Sequence, residues 1–304
     1  MLENSTKDLV FIVSGGRTGT TFFGDYLSDV VEDCYSEHEP DLLVGFQAKT
    51  RKRIKRFGIY HMVIGRLLRQ TGIRNLAQKY LSGELSDSQI IDKIYKHRRR
   101  YHGSIEASLI VESYYVWYGL LGPLRKSYPD AKILAIIRDP RDWVRSWMNY
   151  GGFYGKSDQI KWFGQSRVTP AVIGDTIQAQ KWAEMTHFEK ICWNWNLTYG
   201  LISNFVESDD HGRVFRFEDI FLTGADENSL EKLMDFTTRF EHRQYSYDLE
   251  KLKTKPSANS SKKTLPSWLD WTPEQARQMD RLCGDLMRAN NYGLETEWLN
   301  KLNQ

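Results

Sequence analysis

The sequence predicts an α/β fold in which short buried strands alternate with amphipathic helices, and three stretches carry that prediction. Leu9 to Val13 is an apolar run that passes through a glycine-rich turn, Ser14-Gly15-Gly16-Arg17-Thr18-Gly19-Thr20-Thr21, directly into an amphipathic helix. Lys132 to Ile137 is a second uninterrupted run bounded by turn residues, as expected of a strand buried on both faces. Leu109 to Val111 is a third, followed by Glu112 at a strand end. With 304 residues, 40% apolar and 27% charged, the chain is long enough to bury a single α/β domain, 1–304, with insertions.

The glycine-rich turn organises the rest. After it, Phe22/Phe23, Tyr26/Leu27 and Val30/Val31 recur every four residues and form one apolar stripe at helical period. Glycines let successive N–H groups point inward at an anion near a helix N-terminus, Thr20 and Thr21 add hydroxyl donors, and Arg17 adds a fixed charge. A nucleotide-triphosphatase loop needs Lys directly after its last glycine, with Ser or Thr next to hold magnesium. Here Thr20 follows Gly19, and the cation lies two residues earlier at Arg17. The arrangement resembles the 5′-phosphosulfate loop of sulfotransferases that use 3′-phosphoadenosine-5′-phosphosulfate (PAPS), a basic residue followed by Ser/Thr-Gly-Thr-Thr. In that family's terms Gly15, Gly16, Arg17, Thr18, Gly19, Thr20 and Thr21 form the cofactor loop.

Composition narrows the function. A net charge of +3 is too small to argue for general nucleic-acid binding. The three cysteines, Cys34, Cys192 and Cys283, are widely spaced and form neither a metal pattern nor a disulfide framework, which favours a reducing compartment. No basic-then-apolar leader is visible, and no apolar run reaches the roughly eighteen residues of a membrane span. The expectation is a soluble cytoplasmic protein.

Asp33 to Ser36 reads as a second strand, with Glu37-His38-Glu39-Pro40-Asp41 after its C-terminal end, where open parallel sheets bind ligands. An acceptor hydroxyl must lose its proton as it attacks sulfur, so a base is needed. Glu39, fixed by Pro40, is the first candidate and His38 the second; a solvated acidic turn is the alternative. In the resembling families a Glu or His near this point serves as the base.

Residues 42–108 read as a helical insertion, with Lys49, Arg51, Lys52, Arg53, Lys55 and Arg56 crowded at one end and Arg98-Arg99-Arg100 at the other. Such runs are usually solvated faces. The alternative is attraction to an anionic acceptor or an anionic membrane surface. Glu112 either orients an acceptor or pairs with a buried arginine. Leu120 to Tyr128 reads as a helix interrupted by Pro123.

After the Lys132–Ile137 strand comes Arg138-Asp139-Pro140-Arg141-Asp142-Trp143-Val144-Arg145-Ser146, in which Pro140 opens a helix. This resembles the sulfotransferase 3′-phosphate site, where a strand-end arginine and a serine eight residues later grip the phosphate; here they are Arg138 and Ser146. A guanidinium fork and a hydroxyl suit that task chemically.

Residues 151–175 read as an irregular cover, and 176–207 as a long amphipathic helix or helix pair whose aromatics belong to the core. Ten tryptophans also suit a sugar acceptor. Arg213 to Phe217 reads as a last strand, and Phe217-Glu218-Asp219-Ile220 resembles the Tyr-Glu-Asp-Leu segment that closes the sulfotransferase sheet. The polar, basic stretch up to Lys263 is a loop by composition. Many sulfotransferases fold such a loop over the nucleotide, which here implicates Lys262 and Lys263. Thr272-Pro273-Glu274-Gln275 starts the last helix.

The resemblance implies a nucleotide-kinase-like (P-loop) α/β fold with a central parallel sheet. It also implies in-line transfer of a sulfuryl group from PAPS to an acceptor hydroxyl, on a carbohydrate, glycolipid or small molecule, without a metal. The rivals are a magnesium-dependent phosphotransferase or NTPase and a non-catalytic nucleotide-binding module.

Overall fold

The computed structural model describes residues 7–43, 48–151, 154, 167–222, 227–256 and 265–304. Its five strands are β1 (Asp8–Ser14), β2 (Cys34–His38), β3 (Leu109–Ser113), β4 (Lys132–Ile137) and β5 (Gly212–Arg216). They form one all-parallel sheet in the order β2-β3-β1-β4-β5. Parallel neighbours need long crossovers, which the helices supply. Because β1 is central, the turn that follows it emerges at the middle of the sheet's C-terminal edge. This is the nucleotide-kinase-like arrangement.

The continuous apolar runs are explained by the two cores. Successive strand side chains point to opposite faces. Val10, Ile12, Leu109, Val111, Leu134 and Ile136 join one core, under α1 (Thr20–Val30) and the helix Glu227–Thr238. Leu9, Phe11, Val13, Ile110, Ile133, Ala135 and Ile137 join the other. That second face is covered by a 3-10 turn at Tyr115–Leu120 and by the helices Asp87–Gly103, Pro140–Tyr150 and His187–Val206, among others.

Local boundaries differ from expectation where tertiary contacts intervene. β2 runs two residues further than the sequence predicts, because Glu37 and His38 pair in register with Glu112 and Ser113 of β3. Pro123 lies in the first turn of the helix Leu121–Ser127, where its missing N–H costs nothing, so it starts that helix and does not interrupt it. The 176–207 region is a helix pair, Thr176–Lys181 and His187–Val206, the second opened by a Thr186/Glu189 capping box. Phe217 belongs to a short helix, Phe217–Phe221, and not to β5.

Between β2 and β3 lie α2 (Ala48–Phe57), a π-helical turn (Tyr60–Ile64), a one-turn α3 (Gly65–Leu67), α4 (Ile73–Leu81) and α5 (Asp87–Gly103). Two of their arginines are internal, unlike the solvated faces expected of a charge run. Arg53 donates to Glu37 at 2.7 Å and to the His38 carbonyl at 2.8 Å. Arg98 is fully buried; its Nε lies 3.2 Å from Glu112, and its Nη2 lies 3.8 Å from Asp41. Glu112 also meets His102 Nε2 at 2.6 Å, so it is a structural carboxylate. Of the two readings of Glu112, pairing with a buried arginine is the one observed.

Candidate active site

The turn after β1 is held from below by aromatic residues. Gly15 N donates to the Tyr199 hydroxyl at 3.1 Å, Gly16 N to Ser14 Oγ at 3.0 Å, and Trp143 Nε1 to the Gly16 carbonyl at 2.8 Å. Those two amides are therefore committed, and the anion donors left are on the helix side of the turn. There Gly19, the N-cap of α1, has φ 77° and no side-chain cap, so the first-turn N–H groups face the loop interior. A Cβ on Gly19 would stand 2.5 Å from the Phe221 ring, which leaves room for glycine alone. Thr18 and Thr20 are buried, whereas Thr21 is partly exposed.

The second motif meets the first. Arg138 leaves the end of β4 and its Nη1 donates to the main-chain carbonyl of Arg17 at 2.7 Å, while Arg17 Nε donates to Ser146 Oγ at 3.1 Å. Asp139 caps the helix Pro140–Tyr150, which presents Ser146 about two turns on. Trp195 Nε1 fixes the Arg138 carbonyl at 3.0 Å, and the Phe217 ring lies 4.3 Å from the Arg138 guanidinium. Glu218, in the segment after β5, accepts from Asp139 N at 3.0 Å and from the Tyr292 hydroxyl at 2.7 Å, so it braces this turn.

The cluster brings two guanidinium groups together. Burial, and after it the like charge of Arg138, lowers the pKa of the Arg17 guanidinium. Two adjacent cations repel unless a counter-charge joins them. Arg138 Nε is buried without a hydrogen-bond partner, a donor left for an acceptor oxygen. These features fit the phosphate groups of a nucleotide such as PAPS.

Of the base candidates, Glu37 is consumed by Arg53 and by the hydroxyls of Tyr35 (2.7 Å) and Tyr101 (2.9 Å). His38 Nδ1 lies 3.4 Å from Ser113 Oγ, and burial pushes its pKa down, which favours the neutral imidazole. Glu39 follows with left-handed backbone, φ 46°, and is 8% exposed. Its two carboxylate oxygens accept from Arg74 Nη2 at 3.0 and 3.1 Å. Arg17, at φ 57°, shares this strained backbone.

Arg74 connects Glu39 to a cleft of about 480 Å³, counting its solvent-open mouth, which starts at Gly15. Its walls include Arg74, Tyr115, Tyr118, Tyr154, Asn194 and Thr198. Of these, sequence reasoning gave a role only to Tyr154, within the irregular cover at 151–175. Arg74 is a lone arginine in a basic helical region, and Tyr199 and Asn194 sit among core-facing aromatics, so no local pattern marks them. Five of the ten tryptophans, Trp117, Trp143, Trp195, Trp271 and Trp298, are fully buried and belong to the core, so these five offer no face to a sugar. Lys262 and Lys263 lie outside the described residues.

The profile of the sulfotransferase family matches residues 9–170, a stretch that contains both anion motifs and the Glu37–Glu39 run. This chain belongs to the sulfotransferase family. Its general activity is sulfuryl transfer to an acceptor. Among solved structures, this sulfotransferase is similar to one from Alicyclobacillus acidocaldarius, at 15% identity and a TM-score of 0.42, covering 96% of this chain and 98% of that one. It is similar to the sulfotransferase domain from the curacin biosynthetic pathway at 14% identity and 0.44, covering 95% and 99%. A sulfotransferase from Mycobacterium tuberculosis H37Rv is similar at 15% and 0.42, covering 82% and 74%. Comparison with curated proteins gives no match.

Proposed function

We propose that this sulfotransferase moves a sulfuryl group from PAPS to an acceptor hydroxyl, releasing adenosine 3′,5′-bisphosphate. The observation that carries the reading is the joining of Arg138, the Arg17 carbonyl, Arg17 Nε and Ser146 Oγ into one cluster at the sheet's C-terminal edge. PAPS supplies an activated sulfuryl group beside a phosphate leaving group, and the acceptor oxygen takes the sulfur as that bond breaks. Arg138 and Ser146 grip the 3′-phosphate. Arg17 and the N–H groups at Gly19 and Thr20 stabilise the negative charge that develops on the leaving oxygen. Glu39 takes the acceptor proton, and Arg74 holds and orients that carboxylate at the cleft wall.

The acceptor occupies the cleft between Arg74 and Asn194. A wall of three tyrosines with Gln78, Asn194 and Thr198 offers flat apolar faces together with hydroxyl and amide groups. That mixture favours a carbohydrate or a small hydroxylated molecule. Thermal melting during titration with adenosine 3′,5′-bisphosphate, ATP·Mg and AMP tests the donor assignment. Stabilisation by the bisphosphate in preference to the others, lost in Arg138→Ala, supports it, and preference for ATP·Mg overturns it. A screen of hydroxylated acceptors with labelled PAPS identifies the acceptor.

A further inference from the structure

The residues from Leu42 to Gly83 include ten lysines and arginines and no aspartate or glutamate, in a chain whose net charge is only +3. The remainder of the protein is therefore net acidic, and the excess positive charge is concentrated in this one span of sequence. Within this same span lies a run of exposed large apolar side chains, among the described residues. Ile59, Tyr60, Ile64, Leu67 and Leu68 are 64, 53, 47, 76 and 58% exposed, whereas His61, Met62 and Gly65 among them are buried. The backbone explains the two-sidedness. At the wide period of the π-helical turn, residues five apart stack on one side, which aligns Ile59 with Ile64. Leu67 and Leu68 continue the ridge through α3.

Cations flank the ridge. Arg51, Lys52 and Lys55 are exposed on α2, which runs directly into it, and a Cβ on Gly58 would stand 2.7 Å from Arg100 Nη1, so that guanidinium lies beside Ile59's neighbour. Exposed aliphatic tips bordered by cations, with no carboxylate in the span, match the two layers of an anionic bilayer at once. Hydrocarbon accepts the leucines and lipid phosphate accepts the lysines and arginines. No helix among the described residues is long and apolar enough to cross a membrane, so such contact is peripheral.

We propose that the ridge formed by Ile59, Tyr60, Ile64, Leu67 and Leu68, with the basic α2 beside it, docks this protein on an anionic lipid surface. The ridge also adjoins the cleft: Arg69 donates to Gln78 at 3.0 Å, and Gln78 is part of the cleft wall. Docking places the acceptor entrance close to the bilayer.

Sedimentation with phosphatidylcholine vesicles, with and without phosphatidylserine, tests the proposal. The protein is expected to pellet with the mixed vesicles and to be released by salt, because the attraction is between a charged surface and charged side chains. The double variant Leu67→Glu/Leu68→Glu is expected to bind at least about tenfold less while keeping its melting temperature, since both side chains are largely in solvent. Equal pelleting with both lipids, no pelleting at all, or unchanged binding by the variant overturns the proposal. Light scattering that shows a lipid-free dimer dissolved by the same substitutions also overturns it and assigns the ridge to a second copy of the chain.

Discussion

Arg138 Nη1 donates to the Arg17 carbonyl at 2.7 Å across 121 residues of chain. The contact spans two parallel strands that are neighbours in the sheet, β1 and β4, and it ties the strand-end arginine to the backbone of the glycine turn. A guanidinium has five donors in a planar fork, so one can hold the carbonyl while others remain for a phosphate. Arg138 thereby braces the loop and, in the function proposed above, also binds the phosphate.

Lysine cannot do both jobs. Arg138→Lys and Arg138→Ala are each expected to weaken adenosine 3′,5′-bisphosphate binding by about 2 kcal/mol, or ~30-fold, by calorimetry. Ser146→Ala removes one neutral partner and is expected to cost about 1 kcal/mol. Lysine binding as tightly as arginine would show that the fork geometry is irrelevant.

Glu39→Gln keeps the shape of the side chain and removes its basicity. Turnover is expected to fall by about 10²- to 10⁴-fold with the bisphosphate-induced melting shift unchanged. An active Glu39→Gln enzyme returns the base to His38, and His38→Asn then becomes the deciding variant.

Arg98 has no solvent exposure and balances Glu112 and Asp41. Arg98→Met removes the buried cation that lies beside both Glu112 and Asp41, which is expected to cost about 3–5 kcal/mol in urea unfolding. A loss below about 1 kcal/mol, the scale of a surface pair, would mean that the network does not hold the insertion to the sheet.

Acid stability follows from His97. Burial first, then the charges of His61 and Arg98, push its imidazole from 6.5 down to about 3. The folded protein keeps it neutral while the unfolded chain takes up a proton below 6.5, so stability is full above 6.5 and is lost as pH falls toward about 3. His38, lowered by burial, adds in the same direction. The melting temperature is expected to drop through this window, and His97→Gln to flatten its upper part. A drop of equal size in His97→Gln would place the sensitivity in other groups.

Gly24 sits where α1 crosses β2, and a Cβ there would lie 2.5 Å from His38 N. Backbone on that side cannot give way as a side chain can. Gly24→Ala is expected to cost about 1–3 kcal/mol and, by displacing His38 and Glu39, to reduce turnover as well. Full activity in Gly24→Ala would show that the base tolerates movement of β2.

Much of the fold was legible because its signals are local. The runs Leu9–Val13 and Lys132–Ile137 lie within observed strands, and the Thr272/Gln275 capping box opens the helix Pro273–Ala289 as read. The end of β2 was not legible: Glu37 and His38 look like turn residues until Arg53, Tyr35 and Tyr101 are brought to them. Arg53 and Arg98 likewise read as solvated charges, because nothing adjacent in sequence announces a buried partner.

From its residues alone, the chain declares two candidate anion-binding turns, since a cation and hydroxyl groups at fixed short spacing, joined by glycines in the first, suffice to mark each one. Only tertiary structure decided that the two turns meet, that Arg74 stands between Glu39 and a tyrosine-lined cleft, and that Trp117, Trp143, Trp195, Trp271 and Trp298 serve the core. The physical reason is distance along the chain. A turn is stabilised by atoms a few residues apart, whereas the pairing of Arg138 with Arg17 depends on sheet order, which is set by burial of whole strand faces and leaves no mark at either residue.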